Sequence, residues 1–363
     1  MHSSGQFYAS RRNTDSGPGE NVTTSALSPY LRRRLLLEEE AIAVAIGAHG
    51  RRGVEKFTQE VFWRSYFKGH LETRPSIWND YLRQVTEGHA CLDANAGLRR
   101  AYTQAVEGRT GIEGFDDWAR ELAEQGWLHN HARMWFASIW IFTLRLPWAL
   151  GADLFMRNLI DGDPASNTLS WRWVAGLHTR GKVYAARAEN IARYTNGRFN
   201  PAGLDENPRA LVEEMDHPLV PLVPLAPIDA VPGGDVALLL HLDDLHPESL
   251  DLGAARVVAV GGYTAHADGA TEQVRSADRA AMADALARAS AHFGCPAHPV
   301  VDGWASDLPV VAAWAPVGPS AAGLSPCTRV RRGWDERAWP KSTRGYFNLR
   351  SAIPQLLDAA GIA

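Results

Sequence analysis

The residues with the clearest chemical content lie between positions 126 and 173. His129, Asn130 and Arg133 fall on one predicted helix, Asp161 and Asp163 stand two apart in an acidic loop with Asn167, and Trp171 and Trp173 come after it. In a helical unit with apolar flanks such carboxylates are partly buried and need partners. Arg133 is the nearest candidate partner for Asp161. By residue type alone the set reads as a structural ion pair with a helix N-cap or, with equal weight, as the polar lining of a ligand site. Two further clusters carry less. His241, Asp243, Asp244 and His246 are metal-ligand types, but they come after a predicted strand and read as a solvated loop, so no metal site is expected. The arginine run at 32–34 reads as a solvated helix face. Asn21-Val22-Thr23 is a glycosylation sequon without expected consequence.

The elements that must position these groups are mostly helical. Ser25 or Ser28 is a good N-cap and Pro29 a good first-turn residue, so a helix is expected from about 29 to 49. Further helical patterns lie near 53–71, 77–86, 94–106, 114–124, 131–144, 152–159 and 185–194. Strand signals are almost absent before residue 230. Pro218, Pro221, Pro224 and Pro227 recur every third residue, the mark of an extended polyproline-like linker. Beyond it come apolar strand-like runs at 235–242, 256–263 and 309–317, an Ala-rich helix at 276–293 and a last helix at 348–360. The expected fold is mainly α: an arm over 1–22, a helical domain over 23–201, a Pro-rich linker over 202–232, and a small α/β domain of unknown role over 233–363, its sheet partly parallel.

Composition narrows the classes. The chain has 363 residues and a formal net charge of −4, with 45% apolar and 21% charged residues, so collagen-like, disordered and disulfide-scaffold classes are excluded. The three cysteines are widely spaced and form no CxxC pair, which fits a reducing compartment. No apolar run is long enough to span a bilayer, and the N-terminus has no apolar signal core, so a cytoplasmic protein without membrane contact is expected. Residues 24–200 hold 23 Lys and Arg against 19 Asp and Glu, which places any anion-binding work in the helical part. Thirteen tryptophans are unusual for this length. Most tryptophans on apolar helices are core.

Taken together, the motifs resemble the FAD-binding domain of the photolyase/cryptochrome family. Gly126-Trp127-Leu128-His129-Asn130-His131-Ala132-Arg133 is similar to its GWxHNxxR run. The stretch from Leu159 to Asn167, containing Asp161-Gly162-Asp163, is similar to its LIDGDxAxN, and Trp171-Arg172-Trp173 to its WxW. Residues 23–31 resemble the family's TSxLSPxL phosphate loop, 59–71 its NELxWREFYRHL helix, 108–117 its GxTGxPxVDA segment, and Phe199-Asn200-Pro201 its FNP. The resemblance covers roughly residues 8–201 and identifies a short member without the family's N-terminal antenna domain.

It implies FAD as cofactor. Thr24, Ser25, Ala26, Leu27 and Ser28 would hold the phosphates, at hydroxyls and N–H groups ahead of a helix. Arg64, Asn130, Arg133, Asp161, Asp163 and Asn167 would surround flavin and ribose, with Asn167 facing flavin N5. Trp171 and Trp148 match the inner two tryptophans of the family's photoreduction chain; the third position falls at Asn95, and Trp135 or Trp140 are the possible substitutes. Glu60, Trp63, Asn130, Met134 and Trp173 match the pocket for a flipped pyrimidine dimer. The implied activity is light-driven splitting of cyclobutane pyrimidine dimers in DNA. The alternative is a blue-light photoreceptor that signals through a protein partner, as the acidic C-terminal part and the linker after Pro201 suggest.

Overall fold

The computed structural model describes residues 4–19, 23–212, 221–301, 304–305 and 307–362. Asn21 and Val22 of the sequon and Pro218 of the linker lie outside them. In chain order the helices are α1 (Gln6–Arg11), α2 (Ser28–Arg32), α3 (Glu38–Gly53), α4 (Glu55–Glu72), α5 (Ser76–Ala94), α6 (Ala96–Val106), α7 (Phe115–Gln125), α8 (Asn130–Ser138), α9 (Trp148–Asn158), α10 (Pro164–Val174) and α11 (Ala188–Tyr194). Then come β1 (Gly234–His241), β2 (Ala255–Tyr263), α12 (Glu272–Phe293), β3 (Ala297–Pro299), β4 (Val310–Ala313), α13 (Pro319–Gly323), β5 (Thr328–Val330), α14 (Gly333–Ala338) and α15 (Tyr346–Ala359).

Two compact units form, and neither is continuous in sequence. One is Met1–Ala26 with Ser76–Pro221; the other is Leu27–Pro75 with Leu222–Ala363. The expected boundaries at 22/23, 201/202 and 232/233 differ from this division, because α2, α3 and α4 cluster with the α/β part.

The first unit is helical. Its core holds Trp118, Trp135 and Trp140 with no exposure, beside Phe115, Phe136 and Leu150. Three details depart from the helical pattern. The helix expected over 131–144 is α8 continued by a π turn, Ile139–Thr143. Such a turn inserts one extra residue and re-aims the side chains beyond it. The helix expected at 152–159 begins at Trp148, right after Pro147. The acidic loop is shorter than expected, because Asp163 caps α10 and Pro164 takes its first position. The 1–22 arm also contains one short helix, α1.

The second unit is a doubly wound layer. Its five-stranded sheet has the order β3-β2-β1-β4-β5 and every pairing is parallel, not partly so. Central β1 is buried on both faces, as parallel strands are. Val236, Leu238 and Leu240 face α12 through Met282, Ala285 and Leu286, while Leu239 packs with Ala312 and Leu324. β3 and β5 are three-residue edges, too short to announce themselves by pattern. α4 lies against α14 and α15: Trp334 donates to Ser65 at 2.8 Å, and a Cβ on Gly69 would stand 2.8 Å from the Trp339 Cα.

The helix expected over 29–49 is broken. α2 ends at Arg32, Arg34 takes a positive φ of 49°, and α3 starts at Glu38. The cause is ionic. Arg33 and Arg34 are 5% and 2% exposed, not solvated as expected. Arg33 pairs with Asp278, and Arg34 reaches Asp335 at 2.7 Å, Glu38 at 3.2 Å and Asp244 at 3.4 Å. The His241–His246 stretch is likewise not a solvated loop. His241, Asp243 and Asp244 are buried; Arg32 and Lys68 stand 2.7 and 3.5 Å from Asp243, and Arg332 is 2.6 Å from Asp244. Burial alone would raise the Asp243 and Asp244 carboxyls, but the neighbouring cations hold both well below the usual carboxylate range. The crevice at the carboxyl end of β1, where such sheets commonly bind ligands, is thus filled by this chain's own ion pairs.

Candidate cofactor site

In the helical unit Arg133 and Asp161 pair, as residue type and sequence proximity led one to expect. α7 ends on Gly126, which takes a left-handed φ of 64°, and its carbonyl accepts the Ile160 N–H at 2.8 Å. That bond sets the acidic loop beside the start of α8. Arg133 donates to Asp161 at 2.9 Å and, through Nε, to the Leu128 carbonyl at 2.9 Å. The guanidinium also lies 6.0 Å from the Trp127 ring centroid. Asp161 Oδ1 is buried and has no hydrogen-bond partner among the described residues. An unpaired carboxylate oxygen costs free energy unless something donates to it.

Asp163 caps α10 by accepting the Ser166 N–H at 2.8 Å. Asn167 donates through its amide to the Ala152 carbonyl at 2.8 Å, tying α10 to α9. Asn130 is exposed at the first turn of α8, and Met134 sits half-buried one turn on. Trp173 is 36% exposed and stacks on Tyr184 at 5.6 Å. Residue types alone gave His129 no role and did not single out His131. His129 accepts the His131 N–H through Nδ1, its Nε2 is buried without a partner among the described residues, and burial pushes its pKa down to about 4. His131 stacks on Trp135 and links Asn13 to Tyr184. Thr24, Ser25 and Ala26 end this unit's first segment, with Ala26 at φ 52°.

The other predicted residues belong to the second unit. Leu27, not Ser25 or Ser28, is the N-cap of α2, and its first turn carries no side-chain cap. Arg64 pairs with Glu38 and donates to the Arg32 carbonyl. Burial raises the Glu38 carboxyl, but Arg34 and Arg64 outweigh it and hold it far below the usual range. Glu60 is exposed on α4. Trp63 stacks face to face on Tyr346, centroids 3.5 Å apart at 9°, so one of its faces is covered from within the chain.

The predicted electron carriers are all in the helical unit. Trp171 is 2% exposed, and Trp148 donates to Gln84 at 2.8 Å. Asn95, at the third position, is the cap of α6 and accepts from Gly97 and Leu98. Trp135 donates to Asn190 at 3.0 Å and stacks on Trp118.

The helical scaffold thus holds an arginine–carboxylate pair with an unsatisfied carboxylate oxygen, close in sequence to a capping aspartate and an amide. Residues 57–203 match the family described as the FAD binding domain of DNA photolyase. This part of the chain is similar to the photolyase/cryptochrome family, and the match to an FAD-binding domain supports FAD as its cofactor. Among curated relatives, the deoxyribodipyrimidine photo-lyase of Streptomyces griseus is 37% identical over 157 residues, 43% of this chain and 33% of that one. That of Neurospora crassa is 32% identical over 215 residues, 57% of this chain and 33% of that one. A class III photolyase of Agrobacterium tumefaciens aligns at 26% identity and a TM-score of 0.42, over 52% of this chain and 39% of that one. The chain thus spans about a third of the length of the curated relatives it matches. No helix among the described residues is long and apolar enough to cross a membrane.

The donor set fits the cofactor. Asp161 Oδ1 waits for a donor and Arg133 offers a cation beside it, which suits the alternating N–H and C=O edge of an isoalloxazine ring.

Proposed function

We propose that the chain binds FAD and splits cyclobutane pyrimidine dimers in DNA under blue or near-ultraviolet light. The observation that carries the reading is the Arg133–Asp161 pair with its unspent oxygen, set in a segment of photolyase type. The naming of several curated relatives as deoxyribodipyrimidine photo-lyases supports the reaction class. The chemistry bound FAD supplies is the loan of one electron under light. The two carbon–carbon bonds joining the pyrimidines break and the electron returns, so the reaction is redox-neutral.

In the helical unit, Arg133 and Asp161 hold the ring edge, Asp163 fixes the start of α10, and Asn167 presents a neutral amide that cannot deliver a proton as an Asp would. Asn130 and Met134 share a face of α8 and meet the extruded base; Trp173 offers it a half-open ring. Thr24, Ser25 and Ala26 contribute hydroxyl and N–H groups to the phosphates. In the second unit, the family resemblance assigns Leu27, Ser28 and Arg64 to the cofactor and Glu60 and Trp63 to the substrate, and Arg64 is held by Glu38. Extruding a base costs a few kcal/mol, and stacking on one aromatic returns roughly 1–3 kcal/mol.

The test is an absorption spectrum after reconstitution with FAD, then illumination of the reduced protein with dimer-containing single-stranded and duplex DNA. A stoichiometric flavin spectrum and loss of dimers, faster in single strands, are expected. A colourless protein refutes FAD binding, and a fully reduced flavoprotein that splits no dimers refutes repair.

A further inference from the structure

The inner tryptophan of the predicted chain, Trp171, has two aromatic surroundings. Toward Trp148 the described ring contacts do not continue from Trp171. The Trp148 ring instead faces Tyr81 at 6.0 Å and carries the Arg172 guanidinium 5.7 Å away. A fixed cation beside a ring disfavours a second positive charge on it. The next position outward is Asn95, whose side chain is spent on capping α6.

In the other direction the rings are contiguous. Trp171 meets Trp140 edge to face, centroids 6.3 Å apart at 87°, and Trp140 meets Tyr102 at 5.8 Å and 85°. Three local features build this arrangement. The π turn Ile139–Thr143 carries Trp140 out of the register a plain helix would give it. Its indole donates to the Pro147 carbonyl at 2.9 Å, which fixes the ring. Gly151 leaves the space both rings use: a Cβ there would lie 2.3 Å from the Trp171 ring and 2.9 Å from Trp140 Nε1. Tyr102 is half-buried, so the line runs from a buried ring to the surface. Its hydroxyl accepts from Arg157 at 3.1 Å, and Arg157 is held by Asp153 at 2.8 Å. Tyrosine loses its phenolic proton on oxidation, so its radical is neutral and places no second positive charge beside that guanidinium.

We propose that Trp140 and Tyr102 are the outer electron carriers of this protein, in place of Trp148 and a third surface tryptophan. The proposal rests on the flavin reading above. Once Trp171 has given an electron to the light-excited oxidised flavin, Trp140 refills Trp171 and Tyr102 refills Trp140. Tyr102 passes its phenolic proton to water and is left as a neutral tyrosyl radical; one electron has moved inward and one proton outward.

The experiment is electron paramagnetic resonance on the full-length FAD-loaded protein, frozen during illumination, with transient absorption alongside. Wild type should give a tyrosyl signal that changes its hyperfine splitting when the protein is made with ring-deuterated tyrosine. Tyr102→Phe removes only a hydroxyl and should abolish that signal. Trp140→Phe should also abolish it, and Trp148→Phe should leave it intact. A tyrosyl signal that survives Tyr102→Phe, or one lost in Trp148→Phe, overturns the route while the flavin reading stands. A signal unchanged in Trp171→Phe overturns its starting point, and a protein that takes up no flavin overturns both readings together.

Discussion

Asp161→Asn separates a cofactor ligand from a structural clamp. Asn keeps an oxygen at the position that accepts the Arg133 bond, but it removes the charge. A hydrogen bond to a charged group is worth about 1.5–3 kcal/mol, against about 0.5–1.5 for a neutral one. Arg133 is 23% exposed, so water screens part of the difference. The apo-protein should therefore lose about 1 kcal/mol, read as a shift in the urea midpoint monitored by far-ultraviolet circular dichroism. If Oδ1 accepts a flavin donor, the bound state loses a second charge-assisted bond. That is about 1.4 kcal/mol, or about a tenfold rise in the dissociation constant measured by flavin fluorescence. Asp161→Ala removes both acceptors and should weaken binding by about a hundredfold. An Asn variant whose apo stability falls as expected, yet binds FAD as wild type does, would falsify the assignment and leave Asp161 as a clamp.

Asp163→Ala should cost about 1 kcal/mol of apo stability through loss of the α10 cap, measured by the same urea titration. Glu60→Ala should lower dimer splitting while leaving the flavin stoichiometry unchanged, because Glu60 is exposed on α4; loss of flavin in that variant would place it in the cofactor set instead. His129 is buried neutral, with its pKa pushed down to about 4. Stability from this group is therefore full above its ordinary value near pH 6.5 and is lost as pH falls toward 4, a dependence that His129→Gln should flatten in midpoint-versus-pH data. In the second unit the depressed carboxyls of Glu38, Asp243 and Asp244 give stability that is present above about pH 4 and lost below it. Asp244→Asn should shallow that acid limb.

The pairing of Arg133 with Asp161 was legible because its geometry is local. Asp161, Gly162, Asp163 and Pro164 form one turn and one cap, and Arg133 needs only the Gly126–Ile160 backbone bond to meet Asp161. The start of α10 was read as a helix N-cap but not followed into a helix, although Asp at the cap and Pro at the first position mark one. The π turn carried no such signal, since Ile139 to Thr143 continues an apolar helical pattern without a break. Its consequence, Trp140 beside Trp171, depends on the missing side chain of Gly151 in another helix, α9.

The placement of α2, α3 and α4 was hidden for a different reason. A run of three arginines close to three glutamates is indistinguishable by pattern from a solvated helix face. What decides its position are acids more than 200 residues away: Asp243 for Arg32, Asp278 for Arg33, and Asp335 for Arg34. Each pair is costly to bury and costly to break singly, since removing one partner leaves an unpaired charge inside. Such a cluster enforces one arrangement more than it adds stability, and it does so by closing the sheet crevice where a ligand would otherwise sit. Arg64 is bound into the same network. The resemblance assigns it to the cofactor, yet here it is held by Glu38, which Arg34 also grips. Glu38 is therefore shared by two cations, and removing either leaves it with one, so the order of the α2–α3 turn depends on a single carboxylate.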